Sequence, residues 1–229
     1  MLKRIVFCQM AIKYLKYRIK SRYSMFTPSQ QPLGITIPVK KRVQLIAWAK
    51  KNNCLIIEDD NDSEFRYNAT IIAPMASINS SHVIYINSFA RSFLPSIRVA
   101  FSILPDQYVE EFVAFNEDFV QNASSLVQIA LANFLTEGYF ADHLKKMTSI
   151  YNQKMAVLPT TIQMTFPSTL RVFSDDSGQY LLIQPNNGMT EDELISSAAE
   201  LGVKVYPFST FYLEKDLDFL RCSCWASVL

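Results

Sequence analysis

The 229-residue chain is long enough for one large domain or two small ones, and with 49% hydrophobic and 19% charged residues it reads as a globular protein. A net charge of +1 points to neither a nucleic-acid partner nor an acidic one. The charge is unevenly placed, since no Asp or Glu precedes Glu58 while Lys and Arg recur from Lys3 to Lys51. Cys8, Cys54, Cys222 and Cys224 sit among apolar neighbours and read as reduced core cysteines of a cytoplasmic protein. Cys222 and Cys224 form C-x-C rather than the C-x-x-C of zinc or redox sites, and with only His82 and His143 besides, no metal site is expected.

In chain order, Met1 to Met25 is a basic segment whose longest apolar run, Ile5 to Cys8, is too short for a signal-peptide core or a membrane span. Ile12, Leu15 and Ile19 have the spacing of an amphipathic helix, which a solvated or partly packed role explains without a membrane. Thr27 to Gly34 is a loop by its Pro and Gly content. Thr36 then stands as a helix cap with Pro38 in the first turn, and Val43, Ile46, Ala47 and Ala49 continue that helix to about Lys51. Cys54-Leu-Ile-Ile is an all-apolar run, suited to a strand buried on both faces of a parallel sheet, and it ends in Glu58-Asp59-Asp60. The pattern repeats at Val83 to Ile86, ending at Asn87-Ser88, and again at Ile97 to Leu104.

Helices are predicted over Asp106 to Phe115, Ala123 to Thr136 and Tyr139 to about Leu158. Beyond Leu170, Tyr180-Leu-Leu-Ile is a strand, and Val203 to Tyr206 and Phe219 to Ser223 are short ones. Thr190 caps a helix through Leu201, with Glu193 placed to close a capping box. The fold class is therefore α/β: a mostly parallel sheet with flanking helices, followed by a smaller C-terminal α+β domain. The expected organisation is a basic segment over 1–24, a sheet domain over 25–125, and helices with the small domain over 126–229. Polar chemistry is sought at the carboxyl ends of the strands, where Glu58-Asp59-Asp60 and Asn87-Ser88 lie.

Those strand ends carry a resemblance. Ile56-Ile-Glu-Asp-Asp-Asn-Asp-Ser-Glu-Phe-Arg-Tyr67 and Ile86-Asn-Ser-Phe-Ala-Arg-Ser-Phe-Leu-Pro-Ser-Ile-Arg98 resemble fold-type I aminotransferases. The Asp-Ser-Glu-Phe-Arg-Tyr tail is similar to the aminotransferase-like domain of the MocR/GabR branch of GntR-type transcription regulators. Thr27-Pro-Ser-Gln-Gln, Glu137-Gly-Tyr-Phe-Ala-Asp-His-Leu and Gly202-Val-Lys-Val-Tyr-Pro add to it, so that the resemblance covers residues 24 to 229.

The resemblance implies a site for pyridoxal 5'-phosphate. Asp59 matches the carboxylate that pairs with the pyridine nitrogen and keeps the ring an electron sink. Ser88 and Arg98 match phosphate-binding groups, Arg98 through its planar fork of donors. Arg221 resembles the arginine that grips a substrate carboxylate. Arg91 stands where the family has its Schiff-base lysine, and a guanidinium offers no free amine, so covalent cofactor binding is not expected. Asn61 takes the place of the tyrosine that donates to the cofactor phenolic oxygen, and Ala90 that of a phosphate-binding serine. The loop at Gln31-Pro-Leu-Gly looks one residue short. Against the family the chain is expected to lack the winged helix-turn-helix, the start of the aminotransferase domain and the last helix.

The function implied is a degenerate effector domain of a regulator, binding the cofactor or a small amino compound without a covalent bond, not contacting DNA itself and forming a homodimer. Two alternatives stand beside it: a pyridoxal-phosphate-dependent class I/II aminotransferase, and a decayed fragment with no ligand.

Overall fold

The computed structural model describes residues 5–6, 22–30, 35–61, 63–65, 72–117, 123–173, 180–211 and 224–227. The elements in order are strands β1 (Ile5–Val6), β2 (Arg22–Phe26), β3 (Ser29–Gln30) and β4 (Ile35–Thr36), helix α1 (Val39–Lys51), β5 (Cys54–Asp59), α2 (Met75–Ile78), β6 (Val83–Ser88) and α3 (Phe89–Ser92). There follow β7 (Ala100–Ile103), α4 (Val109–Asn116), α5 (Ser125–Thr136), α6 (Tyr139–Thr165), β8 (Leu170–Phe173), β9 (Tyr180–Pro185), α7 (Glu191–Glu200), β10 (Tyr206–Pro207) and β11 (Cys224–Ser227). Contacts divide the chain into two compact units, one of Met1–Ser29, Thr36–Glu64 and Thr70–Lys146, the other of Gln30–Ile35, Phe65–Ala69 and Met147–Leu229.

The first unit holds a five-stranded sheet in the order β1-β7-β6-β5-β2. β2, β5 and β6 are parallel neighbours, with Met25 opposite Ile57 and Ile57 opposite Ile84. β7 runs antiparallel to both β6 and β1, so four of the five strands point the same way. The expected repeat of the buried parallel strand at Ile97 to Leu104 is thus corrected: a 3-10 turn takes Pro95–Ile97, and β7 reverses direction with only Ser102 fully buried. A short connection of this kind can close only an antiparallel pair, because a parallel return needs a crossover of a dozen residues or more.

The apolar run of β5 fills both faces of the sheet by its period of two. Leu55 and Ile57 join Ile84, Ile86, Leu104 and Phe112 under α4. Cys54 and Ile56 join Val83 and Met75 with Ile46 and Ala49 of α1 on the other face. Each fully buried Leu or Ile contributes about 2 kcal/mol, so the two clusters hold the sheet domain together. Helix α1 presents Arg42, Ile46 and Ala49 to the sheet at helical spacing and ends with Lys50 and Lys51 beside its negative dipole end. Its cap is Pro38 rather than Thr36, because Pro38 is already extended (φ −62°, ψ 150°) where the chain enters the helix. β2 lies at one edge of the sheet, with Tyr23 and Met25 half exposed.

The second unit is built on an antiparallel sheet in the order β10-β11-β9-β8. Leu181 and Leu182 of β9 are fully buried. β8 was not among the expected strands, and the strand expected over Val203 to Tyr206 is the shorter β10. The strand expected over Phe219 to Ser223 lies outside the described residues, as does the amphipathic spacing at Ile12, Leu15 and Ile19. α6 runs on to Thr165 through Pro159, past the expected stop near Leu158. α7 starts as expected: Thr190 Oγ1 accepts from Glu193 N while Glu193 Oε2 accepts from Thr190 N at 2.8 Å, a closed capping box. Glu191 at the same helix start accepts from the backbone N–H groups of Phe208 and Ser209 and so ties the turn after β10 to α7.

The constraint that positions the end of β5 is Glu58, which is wholly buried. Its carboxylate accepts from the backbone N–H groups of Met75 (2.7 Å) and Ala76 (2.9 Å) at the start of α2, and lies 3.7 Å from the Arg42 guanidinium. Arg42 also donates to the carbonyls of Ile37 (2.9 Å) and Ala73 (3.1 Å). Removing one partner of such a pair leaves the other charged and unpaired in the interior. Glu58→Ala is therefore expected to destabilise the first unit by about 4 kcal/mol, and Arg42→Ala by a similar amount. Urea unfolding followed by circular dichroism checks this; midpoints within error of wild type would show that the pair is not a structural constraint.

Candidate functional site

β5 and β6 end side by side, with Asp59 opposite Ile86 and the amide of Asp60 still donating to the Ile86 carbonyl at 3.0 Å. The three consecutive acids leave the strand in different directions, as alternation requires. Glu58 turns inward to Arg42 and α2. Asp59 lies on the opposite face, half-buried, and accepts a hydrogen bond from the side-chain amide of Asn61. Burial pushes the Asp59 carboxyl above its ordinary range, and the Asn61 donors and the positive charge of Arg91 oppose that shift. Asp60 is buried and accepts from Ser63 Oγ (2.8 Å) and from the Tyr85 hydroxyl (3.1 Å).

Ser88 closes β6 and is the cap position of α3; its backbone is extended (φ −136°, ψ 152°) and its hydroxyl makes no cap bond to the helix. Arg91 stands in the last turn of α3 and is exposed. Ser88 pairs with Ala100 of β7, and Phe89 N donates to Val99 O at 3.0 Å, so the β6–β7 pairing brings the stretch that begins with Arg98 back to Ser88. Arg98 is exposed and has left-handed backbone (φ 52°, ψ 34°), a conformation an L-residue with a side chain adopts at a cost of about 1 kcal/mol. Asp59, Asn61 and Arg91 thus form one interacting group, with Ser88 and Arg98 joined to it through the β6–α3 turn and the β7 pairing. Arg221 lies outside the described residues.

Chemically, Asp59 can accept from a protonated nitrogen, the Ser88 hydroxyl can donate to an oxyanion, and Arg91 and Arg98 are fixed cations. None of these five side chains offers an amine that can be deprotonated. Around Arg91 the turn is packed by rings: Phe89 lies 5.4 Å from Phe101 and 5.5 Å from Phe140, and Phe93 stacks on Phe134 at 4.8 Å.

A network that sequence reasoning missed lies behind this group. Asn87, buried, donates from Nδ2 to Glu64 Oε1 (2.9 Å) and to the Tyr85 hydroxyl (2.9 Å), while its Oδ1 accepts from Ser88 N (2.6 Å). Tyr85 and Asn87 share one face of β6 by their spacing of two, a signal visible in the sequence; their partners, 23 to 25 residues away, are not. Burial and the Asp60 charge drive the Tyr85 hydroxyl upward. Among the described residues no group of three or more metal-ligating side chains occurs, and no helix is long and apolar enough to cross a membrane.

Residues 22–228 match the family model for aminotransferase class I and II. The chain belongs to that family. It is 36% identical over 196 residues to the uncharacterized HTH-type transcriptional regulator YhdI of Bacillus subtilis, covering 84% of this chain and 42% of the regulator. The probable rhizopine catabolism regulatory protein MocR of Rhizobium meliloti is 31% identical over 194 residues, again 84% of this chain and 39% of the relative. The chain therefore spans about two fifths of the length of these regulators. Among solved structures it superposes on the α-aminoadipate aminotransferase LysN of Thermus thermophilus with a TM-score of 0.78 at 21% identity, covering 96% of this chain and 57% of that one. The multiple substrate aminotransferase of Thermococcus profundus gives 0.77 at 19%, covering 96% and 55%. At these identities the solved structures establish the fold, a fold-type I aminotransferase architecture, and the sequence relatives include several helix-turn-helix regulators.

The pH dependence of the network follows from Glu64. Burial is the main cause that raises its carboxyl to about 7; the Asn87 hydrogen bond opposes it and the Asp60 charge adds to it. The folded chain then keeps a proton that the unfolded chain releases above its ordinary value of 4.5. Unfolding releases a proton between those two values, so stability falls as pH rises through that window, by about 3 kcal/mol from this group alone. Denaturation midpoints measured from pH 4.5 to 8 should decline, and Glu64→Gln should flatten the decline. A slope unchanged in the variant would assign it to other groups.

Proposed function

We propose that this chain is an effector-binding, aminotransferase-like part of a MocR-type transcription regulator, holding a pyridoxal phosphate or a related phosphorylated amino compound without a covalent bond. The observation that carries the reading is Arg91 beside Asp59 in a chain whose relatives are helix-turn-helix regulators. In this reading Asp59 holds the ring nitrogen, Ser88, Arg91 and Arg98 hold the phosphate, Asn61 orients the Asp59 carboxylate, and Arg221 takes a substrate or effector carboxylate. When bound, such a cofactor supplies an electron-withdrawing pyridinium ring. The residues named here bind and orient it, and Arg91 does not move protons, because a guanidinium stays charged throughout the accessible pH range. Catalysis of amino transfer would need a nucleophile and base that this group does not contain.

Operator recognition is not assigned to residues 22–228, which match the aminotransferase family. The working form is taken to be a cytoplasmic homodimer, by likeness to the aminotransferase fold.

The test is a titration of purified chain with pyridoxal 5'-phosphate, with Arg91→Lys in parallel. Wild type should bind saturably yet show no cofactor mass after borohydride reduction, whereas Arg91→Lys should retain it covalently. No saturable binding in either form would overturn the reading. Covalent retention by wild type at a position other than 91 would replace it with an enzyme reading.

A further inference from the structure

The Asn87 side chain joins groups that the sheet itself leaves unjoined. The backbone bond from Asp60 N to Ile86 O joins the two parallel strands at their ends, and beyond it the chains part, one toward Ser63 and Glu64, the other into α3 with Arg91. Asn87 is 5% exposed and spans that gap. Both Nδ2 protons are used, on Glu64 Oε1 and the Tyr85 hydroxyl, and Tyr85 passes the connection to Asp60 Oδ2 at 3.1 Å. Oδ1 takes the Ser88 N–H. Every polar atom of the amide is thereby matched, and its orientation has one solution. Turned by half a rotation, it would set its oxygen against Glu64 and the Tyr85 oxygen and its N–H groups against the Ser88 N–H.

We propose that Asn87 is a positioning residue for the ligand site: it fixes the Ser88 amide, and with it the turn that carries Arg91, to the end of β5, and the charge on Glu64 decides how firmly. This rests on the reading of Ser88 and Arg91 as ligand-binding groups. An ionised Glu64 can only accept, so it holds Nδ2 toward itself; a protonated Glu64 can donate as well as accept and withdraws that one constraint, leaving the Ser88 N–H and the Tyr85 hydroxyl to hold the amide. The titratable groups facing Glu64 among the described residues are Asp60 from the end of β5 and Tyr85 from β6, with Arg42 of α1 acting on Asp60. Burial places the Glu64 transition at about 7, so the hold is firm above neutrality and loosens below it.

The experiment is a pH titration of the ¹⁵N-labelled, ligand-free chain followed at the Ser88 amide, combined with pyridoxal 5'-phosphate affinities for wild type, Asn87→Ala and the isosteric Glu64→Gln. The Ser88 signal should move with a midpoint near 7 in wild type, and Glu64→Gln should remove that midpoint. Asn87→Ala should weaken binding about tenfold at pH 8, the loss expected for one well-placed hydrogen-bonding group. Glu64→Gln, neutral at every pH and able to donate as well as accept, should bind at pH 8 as weakly as wild type does below pH 7, and should lose the part of the pH dependence that is not the ligand's own. A Ser88 amide that does not respond to pH, or responds equally in Glu64→Gln, overturns the proposal whether or not Asn87→Ala folds. Unchanged affinity in a folded Asn87→Ala also overturns it. Should wild type bind no pyridoxal phosphate while the Ser88 titration behaves as stated, the cofactor reading fails alone and the positioning of the turn stands.

Discussion

A charge with no exposure to solvent fixes where everything else at the strand ends can go. Glu58 is held by Arg42 on one side and by two backbone N–H groups of α2 on the other. A buried pair of this kind is seldom more stable than apolar side chains of the same volume, because desolvation costs what the attraction returns. What it supplies is position. With Glu58 committed to the α1 and α2 face, strand alternation sends Asp59 to the other face, toward the positive charge of Arg91. Sliding β5 by one residue would set Ile57 or Asp59 in place of Glu58 against Arg42 and the α2 amides, so the pair also guards the register.

The same region is rich in carboxyl groups that burial disfavours as anions. Glu58, Asp59 and Glu64 are all raised with desolvation as the first cause, and each is answered locally: Glu58 by α2 and Arg42, Asp59 by Asn61 and Arg91, Glu64 by Asn87. Arg91 supplies a permanent positive charge beside these carboxyls. A lysine can be deprotonated and so serve as nucleophile and base, whereas arginine keeps its charge and can only hold. In the proposed reading Arg91 therefore suits the site to binding rather than bond making.

Much of this was legible in the sequence. The all-apolar run before Glu58 marked a strand buried on both sides, and Thr190 with Glu193 marked the capping box, because both signals are local and each residue type has one main way to satisfy its chemistry. The direction of β7 was not legible, since the short stretch Ala100-Phe-Ser-Ile103 suits a strand in either direction and only its pairing with β6 and β1 decides. Nor did the acidic triplet reveal which member faced which side; the deciding partner, Arg42, is 16 positions earlier in a helix whose other basic residues, Lys40, Lys41, Lys50 and Lys51, are exposed. Asp59, Ser88, Arg91 and Arg98 were named as candidates through resemblance; Asn87 was marked only as a polar strand end, and its hydrogen bonds were not legible because its partner Glu64 is 23 residues distant.

Fold alone cannot separate a regulator from an enzyme here. Solved aminotransferases superpose on nearly all of the chain, and the helix-turn-helix relatives align over almost as much of it. One architecture hosts both activities, so the distinction must lie in the site. An effector that signals has to leave as readily as it arrives, and its influence on a distant DNA-binding part is limited to the difference in its affinity for two states of the protein. If the proposed reading holds, such a difference would come from the Ser88–Arg91 turn, whose amide Asn87 ties to Glu64 at the end of β5.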